Sequence, residues 1–256
     1  SLKKPVPIEE PLAQQELART NLEKLRQTAP QWYPLAAYLS GKGFDLYRNT
    51  ALRYLPTGEA YLEDMLTTLD TAQRFIFLEY FIMAEGEIWD RLSDILCRKS
   101  RQGVEVKLIF DDFGSMMRMP NEKIDALQDA GVEVRVFNPV HHYVNRLYFN
   151  YRDHRKITCV DGDIAYTGGA NIADEYANLI ERFGYWKDCG LRLEGEGAWG
   201  LTREFLQMWQ RMDGQLYHEY DYYRPLHHPL EQGFCQTVVD GPDDNPNNAA
   251  EDLFLQ

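Results

Sequence analysis

Three apolar segments of this chain establish its architecture: R-F-I-F-L-E-Y-F-I (74–82), V-E-V-K-L-I-F (104–110) and V-E-V-R-V-F (132–137). Each segment is short and rich in β-branched and aromatic residues, which is typical of buried strands. Amphipathic helical patterns lie between them at 88–101 and 122–129, and Gly103 and Gly131 follow these helices. Strands that alternate with helices of this length predict βαβ units, in which neighbouring strands run parallel.

The segments before these strands extend the pattern. Residues 8–40 have a helical periodicity that Pro30 interrupts, and residues 44–54 alternate loosely between polar and apolar, as a strand does. Residues 60–72 have the spacing of an amphipathic helix. The sequence therefore predicts a helical extension that precedes the first strand.

The segments after residue 148 predict a different connection. A strand, the turn Asp161-Gly162 and a second strand form a hairpin. Another short strand is expected at 190–194 and a helix at 199–212. The predicted class is α/β, with a mixed, largely parallel β-sheet flanked by helices on both faces and an N-terminal helical extension.

Composition limits the choice of partners. The chain has 256 residues, of which 44% are hydrophobic, enough for one large core. Its formal net charge is −13, so a partner that carries phosphate must meet a local basic patch. The longest apolar stretch, 75–84, is about half the ~20 residues that a membrane-spanning helix needs. Four scattered cysteines favour a reducing, cytoplasmic setting, with Cys159 and Cys189 in the core.

The segment N-Y-R-D-H-R-K-I-T-C-V-D-G-D-I-A-Y-T-G-G-A-N at 150–171 is the one that indicates chemistry. Side chains alternate along a strand, so we expect His154 and Lys156 on one face and Arg155 on the other. An imidazole beside an ammonium suits a phosphodiester, because the ring can attack phosphorus while the cation offsets charge on the oxygens.

The end of this segment is suited to an anion. Gly168 and Gly169 let the backbone approach an anion closely, and a helix predicted to start near Asn171 directs amide N–H groups towards it. The Asn171 side chain adds a neutral donor. A simpler interpretation is a basic strand with a tight turn and a helix cap. The motif H-x-K alone fits that interpretation, whereas the full pattern H-x-K-x4-D-G followed by G-G-x-N favours a site.

These residues resemble the H-x-K-x4-D signature of the phospholipase D superfamily, and N-Y-R-D-H-R-K and G-G-A-N-I-A-D-E-Y resemble bacterial cardiolipin synthases in particular. The similarity starts near residue 46, and further matching points are F-L-E-Y-F-I (77–82), D-D-F-G-S (111–115) and Y-W-K-D (185–188). The resemblance implies a helical extension at 1–43, a phospholipase D-like catalytic half at 44–231, and a linker with the start of a second half at 232–256.

The resemblance also implies roles for individual residues. His154 is expected to be the nucleophile that forms a phosphohistidine, and Lys156, Asn171 and the backbone at Gly169 are expected to hold the phosphate oxygens. Asp188 resembles the acidic residue that accepts a hydrogen bond from the second ring nitrogen of this histidine and fixes its tautomer. No metal and no cofactor is expected, because the lysine and the amides supply the positive field.

Other candidates are less determined by the sequence. Asp161 is expected to brace the hairpin, and Glu79 is expected to be a half-buried carboxylate near the site, with packing and functional roles both open. Asp111 and Asp112 end a strand, where either a ligand or a turn is possible. The His141-His142 and His227-His228 pairs are expected in solvated loops. Three arginines form a basic spot that either attracts a phosphate head group or pairs with surplus acids: Arg146, Arg152 and Arg155.

Members of this superfamily use two H-x-K motifs, and in this chain no histidine other than His154 is followed two residues later by lysine. We expect that the second motif lies in an absent second half. Two alternatives remain open: a homodimer in which each copy contributes its histidine, or a degenerate relative.

The resemblance implies transfer of a phosphatidyl group between two phosphatidylglycerol molecules, giving cardiolipin and glycerol, at the cytoplasmic face of the cell membrane. The membrane anchor is then expected outside these residues. The first alternative is a homodimeric phosphodiesterase acting on lipid or nucleic acid, although the net charge of −13 disfavours nucleic acid. The second is a non-catalytic domain that binds a lipid or a partner.

Overall fold

The computed structural model of the chain describes residues 3, 7–139, 151–241 and 253. The predictions made for His141, His142 and Arg146 lie outside these residues, as does the part of the predicted segment 232–256 that follows residue 241, apart from residue 253.

The described helices and strands follow the order expected from the sequence. The α-helices are α1 (Leu12–Thr28), α2 (Tyr33–Gly41), α3 (Gly58–Leu69), α4 (Glu87–Arg101), α5 (Asp112–Ser115), α6 (Asn121–Asp129) and α7 (Ala198–Arg211). The strands are β1 (Leu46–Tyr47), β2 (Thr50–Leu55), β3 (Phe75–Tyr80), β4 (Glu105–Asp111), β5 (Glu133–Phe137), β6 (Lys156–Val160), β7 (Ile164–Gly168), β8 (Gly190–Gly195) and β9 (Cys235–Gln236).

The main sheet has seven strands in the order β2-β8-β7-β6-β3-β4-β5. The two βαβ units predicted from the sequence give the parallel pairs β3–β4 and β4–β5. The other four neighbouring pairs are antiparallel, because β6, β7 and β8 enter the sheet through hairpin-like returns. The mixed α/β class is therefore confirmed, and the expectation that the sheet is largely parallel is wrong.

Helices cover both faces of the sheet, as predicted. β3 is central, and all six of its residues are buried, which explains why its sequence lacks the alternation of a half-exposed strand. On one face, α3 and α4 contribute Leu62 and Trp89 to a large core cluster. On the other face α7 packs against β3, where the rings of Phe205 and Phe77 stack with centroids 4.7 Å apart.

The N-terminal extension is helical, and its two helices are separated by a 3-10 turn at Pro30–Trp32, where the sequence predicts an interruption. Leu25 of α1 and Ala36 of α2 pack on Leu46 of β1 in a small cluster of their own. β1 pairs with β9 in a separate two-stranded sheet. Within the described residues, no helix is both long and apolar enough to cross a membrane.

Two local predictions are wrong. Cys159 is buried as expected, but Cys189 is exposed because it lies before β8 rather than within it. No α-helix starts near Asn171: that residue lies in an extended segment where Met83 and Ile172 form an isolated parallel bridge. A 3-10 turn at Asp174–Ala177 follows. Four residues are too few to give the N-terminal dipole that the sequence suggested.

Candidate active site

His154 and Lys156 meet at the start of β6. Lys156 is the first residue of the strand, and His154 precedes it in an irregular segment, not on the strand as expected. Nevertheless His154 Nδ1 lies 3.0 Å from Lys156 Nζ, and Nζ donates a hydrogen bond of 2.6 Å to the His154 carbonyl oxygen. The lysine is 5% exposed, whereas the imidazole is exposed. The structure thus brings the two predicted groups together, with the ring open to an incoming ligand.

The surroundings of this pair lower both pKa values. Burial, followed by the charge of Lys156, lowers the pKa of His154 below its ordinary 6.5. Burial lowers the pKa of Lys156 to about 8, against the opposing charges of Asp153 and Asp188. Near neutral pH the imidazole is therefore neutral, with its one lone pair engaged by the lysine, while the lysine still carries its charge; this combination suits attack on a phosphodiester.

Phe81 forms one wall of the site, and the sequence analysis did not select it. Its ring centroid lies 4.9 Å from that of His154, and Lys156 Nζ lies 5.6 Å from the Phe81 ring centroid. The residue follows β3 directly, so the carboxyl end of the central strand supplies an apolar surface under both polar groups. The sequence feature that could have identified Phe81 is its position in the same apolar run as Glu79.

Asp188 lies near the site and has other partners. Its Oδ1 accepts a hydrogen bond of 2.8 Å from the Cys189 backbone N–H, and its Oδ2 accepts one of 3.3 Å from Trp186 Nε1. Within the described residues, no hydrogen bond joins this carboxylate to His154. Gly169 lies against it so closely that any Cβ at position 169 would collide with Oδ1. The tautomer-fixing role of Asp188 stays a prediction.

Asn171 ties two loops together beside the site. The side chain is 3% exposed; its Oδ1 accepts a hydrogen bond of 2.9 Å from the Ile82 N–H, and its Nδ2 donates one of 2.9 Å to the Tyr176 hydroxyl. The amide therefore fixes the end of the β3 segment. Its contact with phosphate, like that of the Gly169 backbone, stays a prediction.

Asp161 lies at the opposite end of the hairpin from His154. It occupies the β6–β7 turn with a φ of 54°. Its carboxylate accepts hydrogen bonds from the backbone N–H groups of Gln73, Arg74 and Phe75 at 2.8, 2.7 and 2.9 Å. These contacts join the hairpin turn to the start of β3, which is the kind of bracing expected from the sequence.

Two buried acids lie under the His154 segment. Glu79 is completely buried, so the expectation of half-burial is wrong; its Oε1 lies 3.7 Å from Arg155 Nη1. Asp111, also fully buried, caps α5 by accepting from the Phe113 N–H at 2.9 Å.

Asp111 also pairs with Arg152 at 3.3 Å. The sequence left two roles open for Arg152 and Arg155, phosphate binding and ion pairing. In the structure both arginines pair with buried acids. His227 and His228 are largely exposed, as expected.

A cavity of about 870 Å³ opens beside His154, and Lys156 and Gly169 also line it. Much of its wall is apolar and comes from β8, α7 and the segment after β9: Leu191, Leu193, Leu201, Met208, Val238 and Val239. Charged side chains line it as well: Arg152, Asp153, Arg155, Arg211 and Asp240. A ligand that carries both a phosphate and a hydrocarbon portion matches this lining.

Comparisons with known proteins show which family this chain is similar to. Residues 65–182 match a family model described as "Cardiolipin synthase, PLD-like domain". An uncharacterized protein of Streptococcus mutans is 39% identical over 237 residues, which are 91% of this chain and 50% of that protein. A cardiolipin synthase of Oceanobacillus iheyensis is 36% identical over 210 residues, 81% of this chain and 41% of that enzyme. The chain therefore spans half or less of the length of these curated relatives.

Among solved structures, phosphatidylserine synthase of Haemophilus influenzae Rd KW20 superposes with a TM-score of 0.51 at 16% identity, covering 71% of this chain and 43% of that one. At that identity the likeness shows the fold alone. The fold, the paired histidine and lysine, and the family match place this chain in the phospholipase D superfamily. Within the superfamily, it belongs to the cardiolipin synthase family through its PLD-like domain.

Proposed function

We propose that this chain supplies one half of an enzyme that transfers a phosphatidyl group from one phosphatidylglycerol to another, through a phosphohistidine on His154. The observation that carries the proposal is the 3.0 Å approach of His154 Nδ1 to Lys156 Nζ beside a cavity with a largely apolar wall. The cardiolipin synthase relatives support the choice of a lipid substrate.

The first chemical step forms a nitrogen–phosphorus bond. When a phosphate enters, the Lys156 ammonium donates to a phosphate oxygen instead of to the ring, which frees a ring nitrogen for attack. The phosphorus–oxygen bond to the glycerol head group breaks. The leaving oxygen takes its proton from a general acid, for which we propose the histidine of a second H-x-K motif outside this chain.

The second step reverses the roles. The hydroxyl of another phosphatidylglycerol attacks phosphorus, and the nitrogen–phosphorus bond breaks. The hydroxyl proton goes to the histidine of the second motif, which now acts as a general base. The products are cardiolipin and the free imidazole. The apolar walls of the cavity favour a lipid alcohol over water as the acceptor, because they exclude water from the intermediate.

The test is a chromatographic assay of the full-length protein on phosphatidylglycerol vesicles. We expect equal amounts of cardiolipin and glycerol, and no turnover when His154→Ala is introduced. His227→Ala is the matched control, since His227 is exposed and removed from the cavity. Turnover that survives His154→Ala would point to another nucleophile.

A homodimeric phosphodiesterase is the second candidate, because His154 is the histidine of the single H-x-K motif in this chain. Such an enzyme would use water as acceptor. Release of phosphatidic acid in place of cardiolipin, or cleavage of DNA by the isolated 256-residue chain, would favour it over the transferase.

A further inference from the structure

A buried acidic cluster lies directly beneath the nucleophile, and the reaction described above does not use it. Its centre is Glu79, near the carboxyl end of β3 and completely buried. No described N–H or O–H donor makes a hydrogen bond to either oxygen of this carboxylate. Burying an ionised carboxylate that accepts no hydrogen bond costs free energy. Glu79 at this place is therefore expected to have a function, a neutralising proton, or both.

The two residues that flank His154 both direct their side chains to Glu79. Asp153, 4% exposed, has a carboxyl that faces the Glu79 carboxyl closely enough for one hydrogen bond once a proton lies between them. Arg155 follows the histidine and places Nη1 3.7 Å from Glu79 Oε1. In the tripeptide 153–155, the first and third side chains therefore point inward, and the second, that of the nucleophile His154, points outward.

The same tripeptide is held from a second side. The Asp153 N–H donates to Asp111 Oδ2 at 3.0 Å, and the Arg155 N–H donates to Asp153 Oδ1 at 3.1 Å. Because His154 precedes the first strand residue, no ladder hydrogen bond of β6 fixes its backbone. Side-chain contacts to buried acids perform that task instead.

The charges around Glu79 favour a shared proton. The groups that face it are Asp153 and Arg155 before β6, Cys159 on β6, and Glu204 on α7. Burial first, and then the negative charge of Asp153, raises the pKa of Glu79 well above 4.5, while Arg155 opposes the shift. A neutral Glu79 can donate to Asp153 while its other oxygen still faces the Arg155 guanidinium at 3.7 Å, so one side chain contacts both flanks of the nucleophile.

We propose that Glu79 is a positioning residue for His154: by joining the side chains of Asp153 and Arg155, it holds the segment between them so that the imidazole projects beside Lys156. The proposal rests on the nucleophilic role given to His154 in the proposed function. It assigns to Glu79 no contact with substrate.

The test compares Glu79→Ala with Glu79→Gln. An amide reproduces the neutral carboxyl, since it can donate to Asp153 and keep an oxygen facing the Arg155 guanidinium, whereas alanine removes both contacts. We expect Glu79→Ala to lower kcat of the full-length protein by about 100-fold, the loss that a displacement of about 1 Å produces, with KM unchanged. Glu79→Gln should restore kcat to within about threefold of the wild type.

Glu105→Gln is the matched control for a general loss of stability. It alters another buried carboxylate, which pairs with Lys107 at 2.9 Å, towards the amino-terminal end of β4 and away from His154. This variant should change the melting temperature without changing kcat. If Glu79→Ala keeps full kcat, or if Glu79→Gln loses as much as Glu79→Ala, the positioning role is wrong.

A second measurement does not depend on turnover. The side-chain ¹⁵N resonances of His154, assigned by comparison with His154→Ala, are followed during a pH titration of the 256-residue chain. Glu79→Ala should broaden them or shift their midpoint, and Glu79→Gln should leave them as in the wild type. Should the full-length protein show no turnover at all, the proposed function fails, and this titration alone decides the positioning role. An unchanged titration in Glu79→Ala would then overturn it.

Discussion

His154 Nδ1 lies 3.0 Å from Lys156 Nζ, and the lysine, not the neighbouring Asp188, is its hydrogen-bond partner. A charged lysine has donors only, so Nδ1 accepts in this arrangement and the ring hydrogen lies on Nε2. The lysine therefore holds the ring through one hydrogen bond. In the proposed reaction it gives up this bond when a phosphate binds, which would couple ligand binding to release of the ring nitrogen.

The first prediction concerns pH. Activity needs a neutral His154 and a charged Lys156, whose pKa values are lowered, the second to about 8. The rate should fall on the acid side where the imidazole takes up a proton, at a pH below the ordinary imidazole pKa of 6.5. It should fall on the alkaline side as pH passes about 8 and the lysine loses its charge. A pH profile of kcat/KM measures both limbs, because it reports the pKa values of the protein before the substrate binds.

Lys156→Arg separates the two limbs. A guanidinium stays charged throughout this range, so the alkaline limb should disappear even if the maximal rate is lower. An alkaline limb that persists in Lys156→Arg would assign it to another group.

The second prediction concerns Phe81. Its ring contacts both His154 and Lys156, with centroid distances of 4.9 and 5.6 Å. Phe81→Ala should lower kcat by about 10-fold or more, because the imidazole loses the surface that orients it. Phe183→Ala is the control: that ring is 71% exposed and packs on Trp186 instead. Equal losses in the two variants would contradict a specific role for Phe81.

The third prediction concerns Gly169. A methyl group at this position collides with Asp188 Oδ1, so Gly169→Ala must displace the carboxylate or the loop. We expect a loss of about 1–3 kcal/mol in the free energy of unfolding, measured with urea, together with reduced activity. Gly233→Ala should change stability by less than about 0.5 kcal/mol, since a Cβ there meets no atom within 4 Å. A neutral Gly169→Ala would show that the loop adapts freely.

The fourth prediction concerns Asp161. Asp161→Ala leaves the N–H groups of Gln73, Arg74 and Phe75 without their acceptor. The free energy of unfolding should decrease by about 2–3 kcal/mol, while kcat below the melting temperature stays unchanged. For comparison, Asp70→Ala removes an exposed ion pair with Arg98 and should change the free energy of unfolding far less than Asp161→Ala does. Loss of activity without loss of stability would instead place Asp161 in the catalytic machinery.

The sequence by itself determined the βαβ units, the hairpin at Asp161-Gly162 and the pairing of His154 with Lys156. These features depend on short-range rules: apolar runs mark buried strands, glycines end helices, and residues two apart in an extended segment point the same way. Sequence periodicity also showed that Glu79 shares a face with Phe75 and Phe77.

Only the tertiary structure decided how far the sheet is parallel and which partners the buried polar groups have. Local pattern gives the direction of a strand relative to its own helix, but β6, β7 and β8 take theirs from the strands beside which they pack. In the same way, the contact of Glu79 with Asp153 and Arg155 joins segments that are distant in the chain. Periodicity shows that a side chain is buried; which group lies against it depends on how the layers pack.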